Sequence, residues 1–108
     1  MILGLDVSTS ITGATILDGD KIVLCEAWDL RKLKSIFEKA DLIKDRLQAL
    51  PVGIEEIFIE EPFTFFKSGG SSAKTMAKLQ AFNGVVSWIC YDTYGITPGY
   101  FTAAQARK

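Results

Sequence analysis

Two acidic residues stand out because each directly follows a short apolar segment. Asp6 follows Ile2–Leu5, and Glu60 follows Ile57–Ile59. A carboxylate at the end of a buried strand must be paired, metal-bound or placed at a rim, because burying an isolated charge is costly. Carboxylate oxygens are ligands that Mg²⁺ prefers, and a bridging cation would offset the repulsion between two neighbouring carboxylates. The two residues are therefore candidates for one acidic metal site.

Each acid also has an ordinary structural interpretation. Asp6 could cap the amides of Ser8 or Thr9 in a turn, and Glu60 could be a solvated acid at the end of a strand. The neighbouring Glu61 adds an ambiguity, because adjacent strand residues point to opposite faces of a sheet. We favour Glu60 as the partner of Asp6, since it follows the apolar segment directly.

The composition narrows the possible chemistry. The 108 residues include no histidine, which excludes Ser-His and Cys-His nucleophile pairs and histidine-based metal sites. Cys25 and Cys90 lie far apart in apolar segments, which predicts two buried, reduced thiols. No apolar segment reaches the roughly 18 residues of a membrane span, and the N-terminus lacks the basic flank of a signal peptide. We therefore expect a cytoplasmic protein.

The small net charge of −1 conceals an asymmetry along the chain. Residues 1–62 carry a net charge of −5, whereas residues 63–108 carry +4. A basic segment of this kind is compatible with a polyanionic partner. Lys74 and Lys78 are four residues apart and would share one helix face, so together with Lys67 they could contact phosphates. A plain solvated helix face is the alternative.

Hydrophobic periodicity predicts five strands and two helices in the order β-β-β-α-β-α-β. Asp18-Gly19-Asp20 indicates a hairpin between the second and third strands, because glycine readily adopts a positive φ. The first helix carries an apolar stripe that includes Phe37 and is predicted to end at Pro51. The predicted strands are residues 2–7, 12–17, 21–28, 55–60 and 96–102, and the predicted helices are residues 31–50 and 72–92.

The order of these elements predicts how the strands are arranged. The first three strands form an antiparallel meander, and the helices before the fourth and fifth strands imply parallel crossovers. The first strand should lie at the sheet centre, buried on both faces, with the fourth strand beside it. Asp6 and Glu60 then meet at one edge of a mixed five-stranded α/β sheet, in a single domain that spans residues 1–108.

The segment before the second helix carries aromatic and small polar residues. Phe63 and Phe65 could stack on unpaired bases, each stacked base contributing ~1–3 kcal/mol, or they could pack beneath the loop. Serines near the helix start, including Ser71, could present backbone amides to a phosphate. The loop lacks the Gly-Lys-Ser/Thr ending of a P-loop, so it does not predict a nucleotide cradle.

The second predicted helix has more apolar surface than one core face needs. Met76, Phe82 and Val86 belong to one apolar stripe, and Ala81, Val85 and Trp88 form a second stripe at helical spacing. A second stripe indicates either a partner helix or a helix buried on both sides.

Four segments together carry a resemblance to a known family. They are Ile2-Leu3-Gly4-Leu5-Asp6-x-Ser8-x-x-x-Thr12-Gly13, Phe58-Ile59-Glu60-x-x-Phe63, Ser72 to Val85, and Thr102-x-x-Gln105-Ala106-Arg107-Lys108. They resemble the opening strand and turn, the second acidic strand, the following helix and the segment after the fifth strand of RuvC-like Holliday-junction resolvases. The resemblance covers nearly the whole chain.

This resemblance implies a ribonuclease H-like sheet of order 3-2-1-4-5, with strand 2 antiparallel. It implies a homodimeric endonuclease that cuts Holliday junctions or other branched DNA with Mg²⁺ or Mn²⁺, dimerising through the 72–92 helix. Asp6 and Glu60 would be two of four acidic metal ligands and would act in catalysis. The candidate nucleic-acid-binding residues are Ser8, Phe63, Phe65, Lys67, Ser71, Lys74, Lys78, Arg107 and Lys108.

The family's other two acidic ligands lie three residues apart on a late helix, and the sequence ends before such a helix. We therefore expect a fragment of a longer nuclease that cuts DNA poorly by itself. Two other interpretations stay open. In an actin-like sugar kinase or Hsp70 lobe, Ser8, Thr9 and Ser10 would hold ATP phosphates, although the chain is short for a two-lobed clamp. A non-catalytic DNA-binding or dimerisation module is the third interpretation.

Overall fold

A computed structural model describes residues 1–61 and 72–102 of the chain. The elements follow the predicted order, with five strands and two helices in these two ranges. The strands are β1 (Ile2–Asp6), β2 (Ile11–Asp18), β3 (Lys21–Asp29), β4 (Glu56–Glu60) and β5 (Gly99–Phe101), and the helices are α1 (Ile36–Gln48) and α2 (Ser72–Tyr94).

The strands form one mixed sheet of order β3-β2-β1-β4-β5. β1 is antiparallel to β2 and parallel to β4, and β4 is parallel to β5. The predicted order and strand directions are therefore confirmed. In the β2–β3 hairpin, Asp18 pairs with Lys21, and Gly19 between them has φ +63°. Glycine reaches this left-handed conformation without steric cost, which explains the tight two-residue turn.

The core lies on one face of the sheet, beneath both helices. Alternate residues of the central strands point towards it. Tyr94 of α2 donates a hydrogen bond to the carbonyl of Leu47 in α1 at 2.6 Å, which ties the ends of the two helices together. The fully buried residues of this layer include Leu3, Leu5, Ile16, Ile43, Leu47, Ile57, Ile59, Phe82 and Val86.

The opposite face of the sheet is covered by no helix among the described residues. Ile2 and Gly4 of β1 are only half-buried on this face, and Ile22 of β3 is 67% exposed. The prediction that the first strand is buried on both faces is therefore wrong within the described ranges. Apolar content alone did not reveal that both helices pack on the same side.

Cys25 of β3 is exposed, whereas Cys90 of α2 is buried. Cys25 lies opposite Thr15 in the antiparallel pair of β2 and β3, and the Thr15 hydroxyl donates to its sulfur at 3.8 Å. The prediction of two buried thiols is confirmed for Cys90 and wrong for Cys25. The reason is that Cys25 alternates with the residues facing the core and lies on the sheet face that no described helix covers.

α1 begins later than predicted, at Ile36 instead of residue 31. Ser35 caps the helix: its hydroxyl accepts from the amide of Glu38 at 3.1 Å, and the Glu38 carboxylate accepts from the Ser35 amide at 3.0 Å. This reciprocal capping box satisfies amides that have no partner within the helix. The helix ends at Gln48, before Pro51.

Phe37 does not belong to the buried stripe of α1 and is 76% exposed. The stripe that faces the sheet contains Ala40, Ile43 and Leu47, and the α-helical turn directs Phe37 away from it. β5 is also shorter than predicted, because it begins after Pro98, which has no amide hydrogen to donate to a neighbouring strand. Within the described residues, no helix is both long enough and apolar enough to cross a membrane.

Candidate active site

Asp6 and Glu60 occupy neighbouring positions on the two central parallel strands. Leu5 of β1 pairs with Ile59 of β4, so the next residue on each strand is one of the two acids. Adjacent strands lie about 4.7–4.9 Å apart. Leu5 and Ile59 face the core, with exposed fractions of 1% and 0%, so the following side chains point to the other face. Both carboxylates therefore lie on the same face of the sheet, at the carboxyl ends of β1 and β4.

The alternation of β4 distinguishes Glu60 from Glu61. Glu60 is half-buried and lies on the face of Asp6, whereas Glu61 is exposed and one residue out of phase. The Glu61 amide donates to the carbonyl of Phe101 at 2.7 Å, which continues the pairing of β4 with β5. Of the two glutamates, Glu60 has the position that the sequence analysis assigned to it.

The turn after β1 is closed by a buried threonine and not by Asp6. The Thr12 hydroxyl is fully buried; it donates to the Ser8 carbonyl at 2.9 Å and accepts from the Ser8 amide at 3.3 Å. The Ser10 amide donates to the Ser8 hydroxyl at 3.1 Å. The alternative in which Asp6 caps the amide of Ser8 or Thr9 is therefore wrong, since neither amide bonds to the Asp6 carboxylate. Among residues 1–61 and 72–102, no hydrogen bond or ion pair holds the exposed Asp6 carboxylate.

Gly13 leaves space beside Asp6 on the β2 side. The two residues are paired across the antiparallel strands, and a Cβ atom at Gly13 would lie 3.7 Å from the Cβ atom of Asp6. That separation is an ordinary contact, so alanine would fit, but a larger side chain would extend over the carboxylate. The absent side chain keeps the face around Asp6 open.

Asn83 of α2 supports the backbone of Glu60 from the helix side. Its side-chain amide donates to the Glu60 carbonyl at 3.2 Å, and Asn83 is only 7% exposed. The Ser87 hydroxyl donates to the Asn83 carbonyl at 2.8 Å, and Tyr100 of β5 donates to Ser87 at 2.8 Å. Asn83 was not among the residues predicted from the sequence. Its position next to Phe82 on the core face of α2 was the available signal, because a buried amide requires a partner.

The two carboxylates suit a hard divalent cation. Both are oxygen donors carried by central strands, which hold ligands in place better than loops do. Within the described ranges, no group of three or more acidic, cysteine or histidine side chains gathers into a larger metal site. Asp6 and Glu60 could thus supply two ligands, and the other positions around Mg²⁺ or Mn²⁺ would be filled by water, substrate phosphate or groups outside those ranges.

The candidate DNA-binding residues are only partly covered by the described structure. Lys74 and Lys78 are both exposed on α2, and Ser8 is half-buried in the turn after β1. The predicted loop over residues 63–71 and the predicted start of a C-terminal helix lie outside the described residues. The same holds for the candidates Phe63, Phe65, Lys67, Ser71, Arg107 and Lys108.

Two solved structures of RuvC from Thermus thermophilus superpose on nearly the entire chain. RuvC in complex with a Holliday junction substrate gives a TM-score of 0.72 at 15% sequence identity, and a second RuvC structure gives 0.63 at 14%. Each match covers 98% of this chain. The chain has the RuvC fold. The predicted ribonuclease H-like architecture is thus confirmed.

The chain spans 66% of the length of each RuvC chain that it matches. At such low identity, the likeness to RuvC establishes the fold and not the activity. No protein-family model matches the sequence, and no curated protein sequence matches it.

Proposed function

We propose that this chain is the acidic-strand part of a metal-dependent endonuclease that acts on branched DNA of the Holliday-junction type. The observation that carries the proposal is the register of β1 and β4, which brings Asp6 and Glu60 side by side on one face. The RuvC fold supports the same class of activity, since one of the RuvC structures is a complex with a Holliday junction substrate.

Asp6 and Glu60 would hold a catalytic Mg²⁺ or Mn²⁺ ion through their carboxylate oxygens. When bound, such an ion lowers the pKa of a coordinated water and stabilises negative charge on the phosphate that is attacked. The residues of this chain would orient the cation. β1 and β4 fix the separation of the two carboxylates, Thr12 closes the turn beyond Asp6, and Asn83 holds the Glu60 backbone.

Cleavage by the 108-residue chain alone should be weak. The resemblance implies four acidic ligands. Two of them have counterparts in this sequence, Asp6 and Glu60. Two carboxylates can bind a hydrated divalent ion, but an incompletely held ion positions the attacking water poorly. We therefore expect this single domain, residues 1–108, to bind branched DNA more readily than it cuts it.

DNA contact would involve the basic surface of α2. Lys74 and Lys78 are exposed and lie one helical turn apart, so both ammonium groups can meet one phosphate backbone. Ser8 lies in the turn directly beyond Asp6. The other proposed contacts are Phe63, Phe65, Lys67, Ser71, Arg107 and Lys108.

A homodimer through α2 is part of the proposal. Ala77, Ala81, Gly84, Trp88 and Tyr91 are all exposed and recur at alternating steps of four and three residues, the spacing of a helix-pairing seam. Trp88 is 61% exposed and Tyr91 53% exposed. If two copies of α2 cross antiparallel near Gly84, the aromatic residues of one copy lie on the small residues of the other.

The test compares a four-way DNA junction with a linear duplex of the same arm sequence. We expect tighter binding of the junction in Mg²⁺, and slow cleavage in Mn²⁺ that the double variant Asp6→Asn, Glu60→Gln abolishes. Junction binding without any metal-dependent cleavage would favour the non-catalytic module. Binding of ATP with no binding of DNA would favour the kinase-like alternative.

A cytoplasmic location, where such DNA would be met, belongs to the same proposal.

A further inference from the structure

A cleft lined in part by lysines lies at the end of the sheet where β1 finishes, on the side of the helices. It has a volume of about 430 Å³ and is lined by Thr9, Lys34, Ile36, Lys39, Lys78 and Ala81. We propose that this cleft binds a phosphate of the DNA backbone, away from the phosphate at the acidic pair. The inference rests on the proposed function, because it assumes that the natural ligand is DNA.

The three lysines reach the cleft from separate parts of the fold. Lys34 lies just before α1, Lys39 lies in the first turns of α1, and Lys78 lies in α2. Lys39 is half-buried, and its ammonium donates to the Thr9 carbonyl at 2.7 Å. This bond joins α1 to the turn after β1 and holds one positive charge at the wall of the cleft. An ammonium has three donors, so Lys39 can bind an anion as well.

The lysines that line the cleft favour an anionic ligand. None of its six described lining residues is acidic and three of them are lysines, of which Lys39 has its ammonium held at the Thr9 carbonyl. Like charges in one site repel each other, and an anion between them relieves that repulsion. Ile36 and Ala81 supply an apolar wall, against which lysine stems can pack while their charged ends stay exposed. Phosphate is the anion that this arrangement suits, since lysine binds it as a point charge.

The cleft and the acidic pair lie on opposite faces of the sheet, both near the carboxyl end of β1. Asp6 and Glu60 point to the face without described helices, whereas the cleft is formed by α1, α2 and the turn after β1. Thr9 follows Asp6 by three residues, which keeps the two sites close along the chain. A DNA strand that crosses this edge can place one phosphate at the carboxylates and another in the cleft.

The test measures how the dissociation constant of a four-way junction depends on salt. Each phosphate contact that is lost should make the slope of log Kd against log salt concentration shallower by about 0.9. Lys34→Gln and the triple variant Lys34→Gln, Lys39→Gln, Lys78→Gln are compared with wild type. Lys21→Gln and Lys44→Gln are matched controls, because both lysines are exposed and neither lines the cleft.

We expect Lys34→Gln to weaken junction binding several-fold and the triple variant to weaken it further, with a shallower salt slope in both. The controls should bind like wild type. Lys34 is exposed, so its replacement should leave folding intact even if loss of the Lys39–Thr9 bond destabilises the triple variant. Amide NMR shifts of Thr9 and Ile36 on titration with junction provide a second readout.

The possible failures can be separated. If wild type binds the junction and Lys34→Gln retains its affinity and salt slope, the cleft assignment is overturned while the proposed function stands. If wild type binds no DNA, both are overturned. If ATP shifts the Thr9 and Ile36 signals and DNA does not, the cleft binds a free nucleotide phosphate and the inference is wrong. Ala81 borders both the cleft and the α2 seam, so the test relies on Lys34, which lies outside the seam.

Discussion

Asp6 is the residue on which the proposed chemistry depends most directly. Its carboxylate is exposed and is held by no hydrogen bond from the described residues, so Asp6→Asn would remove the proposed metal ligand without breaking a contact within the described structure. We expect the affinity for Mn²⁺, measured by isothermal titration calorimetry, to fall by at least about tenfold. The free energy of unfolding should change by no more than about 0.5 kcal/mol.

Asp41→Asn is the matched control, since Asp41 is an exposed acid on α1, distant in sequence from both candidate ligands. It should leave Mn²⁺ affinity unchanged. Unchanged Mn²⁺ affinity in Asp6→Asn would refute the assignment of Asp6 as a ligand.

The two cysteines should differ sharply in reactivity. Burial raises the pKa of the Cys90 thiol to about 12, and the thiolate is the reactive form. In the native protein we expect a thiol reagent at pH 8 to modify exposed Cys25 promptly and Cys90 only as fast as the chain unfolds. Labelling of Cys25→Ser and Cys90→Ser, each with a single thiol, measures the two rates. Prompt labelling of the single thiol in Cys25→Ser would contradict the burial of Cys90.

The raised pKa of Cys90 also has a consequence for stability. Its ordinary value is 9.0, and the native value is about 12, so in this range the native state binds more protons than the unfolded state. The contribution of Cys90 to stability is therefore complete below about pH 9 and decreases as the pH rises towards 12.

At the scale of elements, the support that α2 gives to β4 is a specific interaction. Asn83→Ala would leave the Glu60 carbonyl without the donor that α2 provides. We expect a loss of about 1–2 kcal/mol in the free energy of unfolding, measured by urea denaturation. Mn²⁺ affinity should fall less than in Asp6→Asn, because Asn83 contacts only the backbone of Glu60, the second proposed ligand.

Ser87→Ala is the comparison for Asn83→Ala. The Ser87 hydroxyl donates to the Asn83 carbonyl, and its loss should cost less because it leaves the bond from Asn83 to Glu60 intact. Equal stability of Asn83→Ala and wild type would show that this contact does not support β4.

The elements differ in how strongly local sequence patterns specify them. The Asp-Gly hairpin and the parallel crossovers were predicted correctly, because each depends on local turn chemistry or on chain order. The start of α1 was placed too early, although Ser35-x-x-Glu38 is the pattern of a capping box. Leu33 lies three residues before Ile36, so it extended the apolar helical spacing ahead of Ser35 without supplying a helix start signal.

At the scale of the whole molecule, the proposed homodimer makes a direct prediction. Trp88→Glu places a charge in the middle of the exposed α2 seam, where pairing of two copies would bury it at high cost. We expect wild type to be dimeric and Trp88→Glu to be monomeric in sedimentation equilibrium at the same protein concentration.

Phe37→Glu serves as the control for Trp88→Glu. Phe37 is also a large exposed hydrophobic residue, at 76% exposure, but it lies on α1 outside the seam. Its replacement should not change the oligomeric state. A monomeric wild type, or a dimer that persists in Trp88→Glu, would exclude α2 as the dimer interface.

The sequence by itself determined the strand order and the adjacency of Asp6 and Glu60. Both follow from the apolar segments, the turn residues and the parallel crossovers that the order of strands and helices implies, which are properties of short segments and chain order. The tertiary structure decided which faces are covered, and therefore the exposure of Cys25 and Phe37 and the bond from Asn83 to Glu60. It also gathered Lys34, Lys39 and Lys78 around one cleft, because the packing of α1 against α2 brings together residues that no local pattern connects.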